Sequence, residues 1–306
     1  MKNKGHTQQS IADAIGKHKS VICRELRRNC DQRSGEYRSD LAQRKYEARQ
    51  QAKPKVIRFT ACIEADVKRG LECKLSPEQI VGRAKKEGKD CVSHERIYQY
   101  VWEDKKQGGD LYKHLRTQGK RYRKRGAAKD KRGKIVGRVD IDERPSIVER
   151  RERFGDLEID TIIGKNHKGA IVTINDRATG LLKMKKLDSK NAEALAEQTI
   201  EVLRPYQEHL HTITADNGKE FAAHQKIAQQ LDVDFYFAKP YHSWQRGSNE
   251  NLNGLIRQYI PKKSNFDDFS DEYIQWVEDE LNHRPRKRLN FESPIECLHQ
   301  KVAFVG

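Results

Sequence analysis

Between residues 157 and 187 three short runs, LEIDTIIG (157–164), AIVTIND (170–176) and LLKMKKL (181–187), follow one another with only brief polar turns between them. Alternating or continuous apolar runs of this length read as strands, and turns rich in Gly, Lys and Asn or in Asp, Arg, Thr and Gly join them as an antiparallel meander. The period then changes. Ala192, Leu195, Ala196, Ile200 and Leu203 fall on one face of a helix over 191–203. A strand HTITA (211–215), a helix near 221–231, a strand VDFYFA (233–238) and a helix through 249–259 complete the series. The order βββαβαβα predicts an α/β fold, a mixed sheet covered by helices in the ribonuclease H-like arrangement, over residues 148–306.

Three acids stand at informative places in that order. Asp160 lies on the first strand, Asp216 just past the fourth in TADNGKEF, and Glu250 at the start of a helix in QRGSNENLNG. The first and fourth strands are neighbours in such a sheet, so a helix packed at that edge brings a third carboxylate to the first two. Hard divalent ions such as Mg²⁺ or Mn²⁺ take oxygen ligands. Two such ions, about 3.5 to 4 Å apart, serve an in-line phosphoryl displacement. Each acid also has a plainer reading. Asp156, Glu158 and Asp160 share one strand face, which alone suggests a solvated face. Asp216 before Asn217 and Gly218 suits a turn, and Glu250 suits a helix N-terminus.

The front of the chain is helical. In QQSIADAIGKHKSVICRELRRN (8–29), Ile11, Ala12 and Ile15 precede Gly16, and Val21, Ile22 and Leu26 follow it. This predicts two helices around a glycine turn, with Ser20 capping the second. A helix-turn-helix reads bases from the start of its second helix and grips phosphates nearby, which suits His18, Lys19, Ser20, Arg24, Arg27 and Arg28; a helical hairpin with a solvated basic face is the alternative. Residues 36–57 read as a charged helix anchored by Tyr37, Leu41 and Tyr46, completing a DNA-binding region over 1–57. Residues 58–112 read as a second helical module, DNA-reading or packing, with helices opened by Ser76–Pro77 and by Ser93 around Ile80, Ile97, Tyr98 and Val101. Residues 113–147 read as a basic linker, since 12 of the 26 residues at 113–138 are Lys or Arg.

Sixty-one Lys and Arg against 45 Asp and Glu give a formal charge of +16, which suits a polyanionic partner. None of the six cysteines forms a CxxC pair, so they read as reduced thiols. No run approaches the ~18 apolar residues of a membrane span. The expected place is the cytoplasm, near the nucleoid, with no membrane partner.

The motifs IADAIGKHKSVICRELRRN, SPEQIVGRAKKEG, VSHERIYQYV, ERPSIVERRERFGDLEIDTIIG, TADNGKEF, KPYHSWQRGSNENLNGLIRQYIPK and NHRPRKRLNFESP run in order along nearly the whole chain. In these the chain resembles the insertion sequence 30 family of bacterial transposases. That family carries a DDE triad whose last Asp and Glu are separated by 33 residues, as are Asp216 and Glu250. The resemblance implies that Asp160, Asp216 and Glu250 are catalytic and hold Mg²⁺ or Mn²⁺, two ions in all. It also implies that the helix-turn-helix recognises terminal inverted repeats. Family members usually carry more residues before IADAIG, so the front reads as truncated.

The expected reaction is strand cleavage at the inverted repeats of double-stranded DNA and transfer into target DNA, by a homo-oligomer. Lys239, Tyr241, His242, Arg246 and Asn253 are candidates to hold the scissile phosphate or flanking strand, with Tyr241 and Trp244 alternatively closing the core. Tyr259, Lys262, Lys263 and NHRPRKR (282–288) read as further positive surface. Two alternatives share parts of the pattern. One is a nuclease acting on RNA–DNA hybrids, which has no need of the helix-turn-helix. The other is a truncated or inactive transposase acting only as a DNA-binding repressor.

Overall fold

The computed structural model describes residues 1–52, 58–118, 135–187, 191–239 and 247–303. The chain divides into two compact units, Met1–Arg58 and Phe59–Gly306. Of the stretch expected as a basic linker, 113–147, residues 119–134 lie outside the described residues.

In the first unit α1 (Gln8–Ala14) and α2 (Lys19–Asn29) flank Gly16, whose φ of +62° lies in the left-handed region that glycine enters without penalty. The cap of α2 differs from expectation. His18, in extended backbone, accepts the Ser20 N–H on its Nδ1, so the histidine is the N-cap and Ser20 lies inside the first turn. A third helix, α3 (Ser39–Ala52), follows and packs on α2. Few apolar residues are buried here: Ala12, Ile22 and Ala42, while Ile15 and Tyr46 are exposed. Polar bonds supply the rest. Asn29 donates to Glu25 (2.7 Å) and accepts from Arg49 (2.7 Å), and the Tyr37 hydroxyl donates to Glu25 (2.9 Å).

The second unit opens with α4 (Ala61–Glu72), α5 (Pro77–Lys86) and α6 (His94–Lys106). Ser76 and Gln79 form a capping box around Pro77 at the start of α5, and Ser93 caps α6. Val67, Leu71, Ile80, Ile97 and Val101 form their core, with Tyr98 partly buried against it. The helices are docked through α5. Gln79 Nε2 donates to the Pro285 carbonyl (2.6 Å), and Arg83 makes a two-pronged pair with Glu296 (2.8 Å for each bond). Gly82 permits this approach, because a Cβ there would overlap the Phe291 ring.

After the one-turn α7 (Ile147–Arg150) comes the sheet: β1 (Asp156–Ile163), β2 (Ala170–Asp176), β3 (Leu182–Leu187), α8 (Ala192–Leu203), β4 (Thr212–Ala215), α9 (His224–Leu231) and β5 (Asp234–Phe237). The series ends with α10 (Gly247–Ile256), α11 (Asp271–His283) and α12 (Pro294–Ala303). Strand order is β3-β2-β1-β4-β5, with β1, β2 and β3 antiparallel and β1, β4 and β5 parallel. The mixed sheet and the element order βββαβαβα are those expected. Just before α7 the chain lies along β5: the Phe237 N–H donates to the Val139 carbonyl (2.9 Å), and Ile141 is buried.

One sheet face presents Leu157, Ile159, Val172, Ile174, Ile213, Phe235 and Phe237 to α8 and α9. On the other, Ile162, Ile171, Leu182 and Met184 pack against Leu252, Leu255 and Ile256 of α10 and Ile274, Val277 and Leu281 of α11. Because side chains alternate along a strand, Asp156, Glu158 and Asp160 share this second face with Ile162. The face is not solvated there. Asp156 and Glu158 are wholly buried.

Candidate active site

Each carboxylate on β1 meets a different environment. Arg153 holds Asp156 with two bonds (2.9 and 3.0 Å), and the Thr212 hydroxyl adds a third (2.9 Å). Glu158 pairs with the buried Arg177, whose other nitrogen reaches Glu149 (3.0 Å). Arg144, also buried, pairs with Glu149 and donates to Thr214 (2.8 Å). Burial, with Arg177 beside it, pulls the Arg144 guanidinium below its ordinary pKa. These groups form an ion network that reaches the surface at Glu149. Asp160, further along the same face, is only half-buried.

The strand register brings Asp216 to it. Asp156 pairs with Thr212 and Glu158 with Thr214 across parallel β1 and β4. Continued by two residues, the same offset sets position 160 level with position 216. Asp216 follows the last residue of β4, where its Oδ1 accepts the Gly218 N–H (2.8 Å), so it is both a strand-end carboxylate and the first residue of a turn. Asn217 donates to the Ala238 carbonyl (2.6 Å) and ties that turn to the end of β5.

The third acid comes with α10. Leu252, Leu255 and Ile256 seat this helix on the sheet, and Asn253 Nδ2 donates to Asp160 Oδ2 (2.8 Å). Glu250, one turn earlier, is solvent-exposed in the first turn. Among the described residues no three Asp, Glu, His or Cys side chains are gathered closely enough to hold an ion. The fit to a divalent metal therefore rests on donor chemistry and placement. The donors are all oxygens: one on β1, one just past the end of the neighbouring strand β4, and one on a helix whose next turn is bonded to the first acid.

Sequence reasoning missed three features here. The Thr161 hydroxyl donates to Glu220 (3.0 Å), placing a further carboxylate beside β1. Asn249 is 2% exposed, yet neither atom of its amide has a partner among the described residues; Asn253 Oδ1 is likewise unpaired. The i, i+4 spacing of two asparagines was the available signal. The third lies in the stretch expected as surface: His283, Lys287, Arg288, Lys262 and Lys263 are exposed, but Arg284 is buried, Arg286 half-buried, and Tyr259 buried beneath the Lys74 ammonium, 3.7 Å from the ring centroid.

Other candidates separate. Lys239 is engaged in an ion pair with Asp142, and that carboxylate raises the pKa of the ammonium. Tyr241, His242, Trp244 and Arg246 lie outside the described residues. His18, Lys19, Ser20, Arg24, Arg27 and Arg28 are all exposed on the first unit.

No family model matches the chain. Among curated proteins it is 56% identical over 296 residues to the transposase for insertion sequence element IS4351 of Bacteroides fragilis, covering 97% of this chain and 91% of that one. It is 32% identical over 308 residues to transposase InsI for insertion sequence element IS30C of Escherichia coli (strain K12), covering 96% of this chain and 79% of that one. Among solved structures, the catalytic core domain of BIV integrase matches 49% of this chain and 97% of its own, with a TM-score of 0.40 and 17% identity. The two sequence matches are to transposases of insertion sequences. The chain belongs to the insertion sequence 30 family of transposases.

Proposed function

We propose that Asp160, Asp216 and Glu250 form the catalytic centre of this transposase and hold divalent metal, Mg²⁺ or Mn²⁺, as two ions. The observation that carries this reading is the pair of constraints on Asp160: the β1–β4 register sets it level with Asp216, and the Asn253 bond brings the helix of Glu250 to it. Asp160, Asp216 and Glu250 would hold the metal, and the chemistry it would supply there is activation of the attacking hydroxyl and stabilisation of the leaving oxygen of a phosphodiester. The chain's own residues do the positioning. Asn253 orients the Asp160 carboxylate, and the Gly218 N–H orients that of Asp216.

The enzyme cleaves and joins DNA strands. In our reading water first cleaves a phosphodiester at each inverted repeat, releasing a 3′ hydroxyl. That hydroxyl then displaces a strand of target DNA, with no covalent bond to the enzyme. Two ends cut in concert call for a homo-oligomer on DNA. The first unit serves as the helix-turn-helix that reads the repeats: α2 presents Lys19 and Ser20 in its first turn and Arg24, Arg27 and Arg28 along its exposed side. Residues 58–112 act through docking, and 113–147 as the basic connection. The repressor alternative is not favoured, since the relatives matched along nearly the whole chain are transposases.

The test is cleavage of a DNA fragment bearing the element's ends, with Mg²⁺ or Mn²⁺ against chelator, comparing the wild type with Asp216→Asn. Metal-dependent nicks at the ends that vanish in the variant, with DNA binding retained, are expected. Binding without any cleavage by the wild type would overturn the assignment.

A further inference from the structure

A basic groove runs beside α10, on the side of Asn251. One cavity of about 270 Å³ is lined by Lys74, Arg116, Arg284, Arg286, Lys287 and Arg288, with Glu78 the only acid among its described lining residues. A second, of about 210 Å³, shares Asn251, Arg286 and Arg288 with the first and has no acid among its described lining residues. Ser248 and Asn251, which bracket Glu250 in sequence, line the second cavity. At helical spacing Ser248 and Asn251 share one face of α10 and Glu250 and Asn253 another, so the groove flanks the proposed catalytic centre across that helix.

Its arginines are fixed by neutral acceptors. Arg284 is 4% exposed and donates to Gln79 Oε1 (3.2 Å), Gln258 Oε1 (2.8 Å) and the Lys74 carbonyl. Arg286 donates to the Leu281 carbonyl (2.8 Å), and Arg288 to the carbonyls of Arg177 (3.2 Å) and Ala178 (3.1 Å). Arg116 reaches Asn251 Oδ1 (2.8 Å). Among the described residues none of these four guanidinium groups has a carboxylate at ion-pair distance. Burial, with Arg284 and Arg288 beside it, pulls Arg286 down to about 9.

Arg284 is buried and Arg286 half-buried, while Arg116, Arg288 and Lys287 are exposed, Lys287 lying 3.7 Å from Glu78; a desolvated cation without a counter-charge is costly unless a ligand supplies one. Guanidinium groups held in place match two oxygens of a phosphate at once. The groove is built jointly by Lys74 of the helical module, Arg116 just after that module, and the segment between α11 and α12. We propose that this groove binds backbone phosphates of the DNA strand flanking the scissile bond. The assignment rests on the transposase reading and gives the docked helical module a role in holding substrate.

The test uses the full chain and a short random-sequence DNA duplex, with affinity measured against salt concentration. Arg116 and Lys287 are exposed, so Arg116→Gln/Lys287→Gln removes only surface bonds, to Asn251 and to Glu78, and should leave the fold intact. The slope of log affinity against log salt should become shallower by about 0.9 for each phosphate that the variant no longer neutralises. A control pair of equal charge change, Lys185→Gln/Arg204→Gln, lies towards the opposite sheet face and should leave the slope unchanged. An equal change in both pairs would reduce the groove to general charge and overturn the proposal. So would a variant that loses stabilisation by inorganic phosphate at fixed ionic strength while its DNA slope stays at the wild-type value, since the groove would then be a free-anion site. A wild type that cleaves normally alongside either result leaves the transposase reading standing; a wild type that binds duplex but never cleaves removes that reading without touching the groove.

Discussion

The two faces of the sheet are built from the same strands and carry opposite chemistry. Towards α8 and α9 they present a broad apolar surface, closed by Leu195, Ile200, Ile227 and Leu231. Towards α10 and α11 they are apolar at one end, around Ile162, Ile171 and Met184, and ionic at the other, around Asp156, Glu158, Arg144 and Arg177. Asp160 sits between these two zones. The dry face supplies hydrophobic stabilisation without functional demands. The second face surrenders some of it to hold charge in fixed positions, as a site that orients carboxylates requires.

The largest expected effect on stability tests the ionic zone. Arg177→Met removes the buried guanidinium paired with the wholly buried Glu158 and should cost about 3–5 kcal/mol in denaturant unfolding. Adding Glu158→Gln should return much of it; a single-variant loss below about 1 kcal/mol would show the network to be ornamental. Next comes Asn253→Ala, which removes the donor to Asp160. The metal concentration needed for half-maximal cleavage should rise about 10- to 100-fold, with thermal stability nearly unchanged. A parallel loss of stability and no change in metal dependence would mark Asn253 as a packing residue. On the dry face, Ile159→Val should cost only about 0.5–1.5 kcal/mol and leave cleavage intact. If it altered metal dependence, the two faces would not be separable.

The smallest effect concerns how the helical module is held. Arg83, then the groups around Ser293, bring the Glu296 carboxyl from its ordinary 4.5 to about 2. Because the folded-state value is depressed, its stabilisation is fully present above about 4.5 and is lost as pH falls towards 2. Unfolding followed across that window should lose part of its pH dependence in Glu296→Gln. An unchanged profile would show that the pair, partly open to water, contributes little.

Much of this was legible in the sequence. Strand boundaries fell within a residue or two of those observed because alternation and tight turns are local signals. Ser76, Pro77 and Ser93 announced two helix starts through capping chemistry, whereas His18 took the cap expected of Ser20 because an imidazole nitrogen in extended backbone accepts the same N–H. Asp156 and Glu158 looked like a solvated face; their arginine partners are Arg153, close in sequence, and Arg177, which lies 19 residues from Glu158. Helices α4, α11 and α12 were not anticipated, and NHRPRKR read as surface.

Taken alone, the sequence determined the element order, the residue types able to hold a hard metal ion, and the family motifs that join them. These depend on periodicity and chemistry carried within short stretches. Only the tertiary structure decided that β1 and β4 pair in the register Asp156↔Thr212 and Glu158↔Thr214, that Asn253 reaches across 93 positions to bind Asp160, and that Arg284 and Arg286 line a groove with Lys74 and Arg116. Those facts depend on strand register and helix docking, which are set by the burial of side chains far apart in the chain.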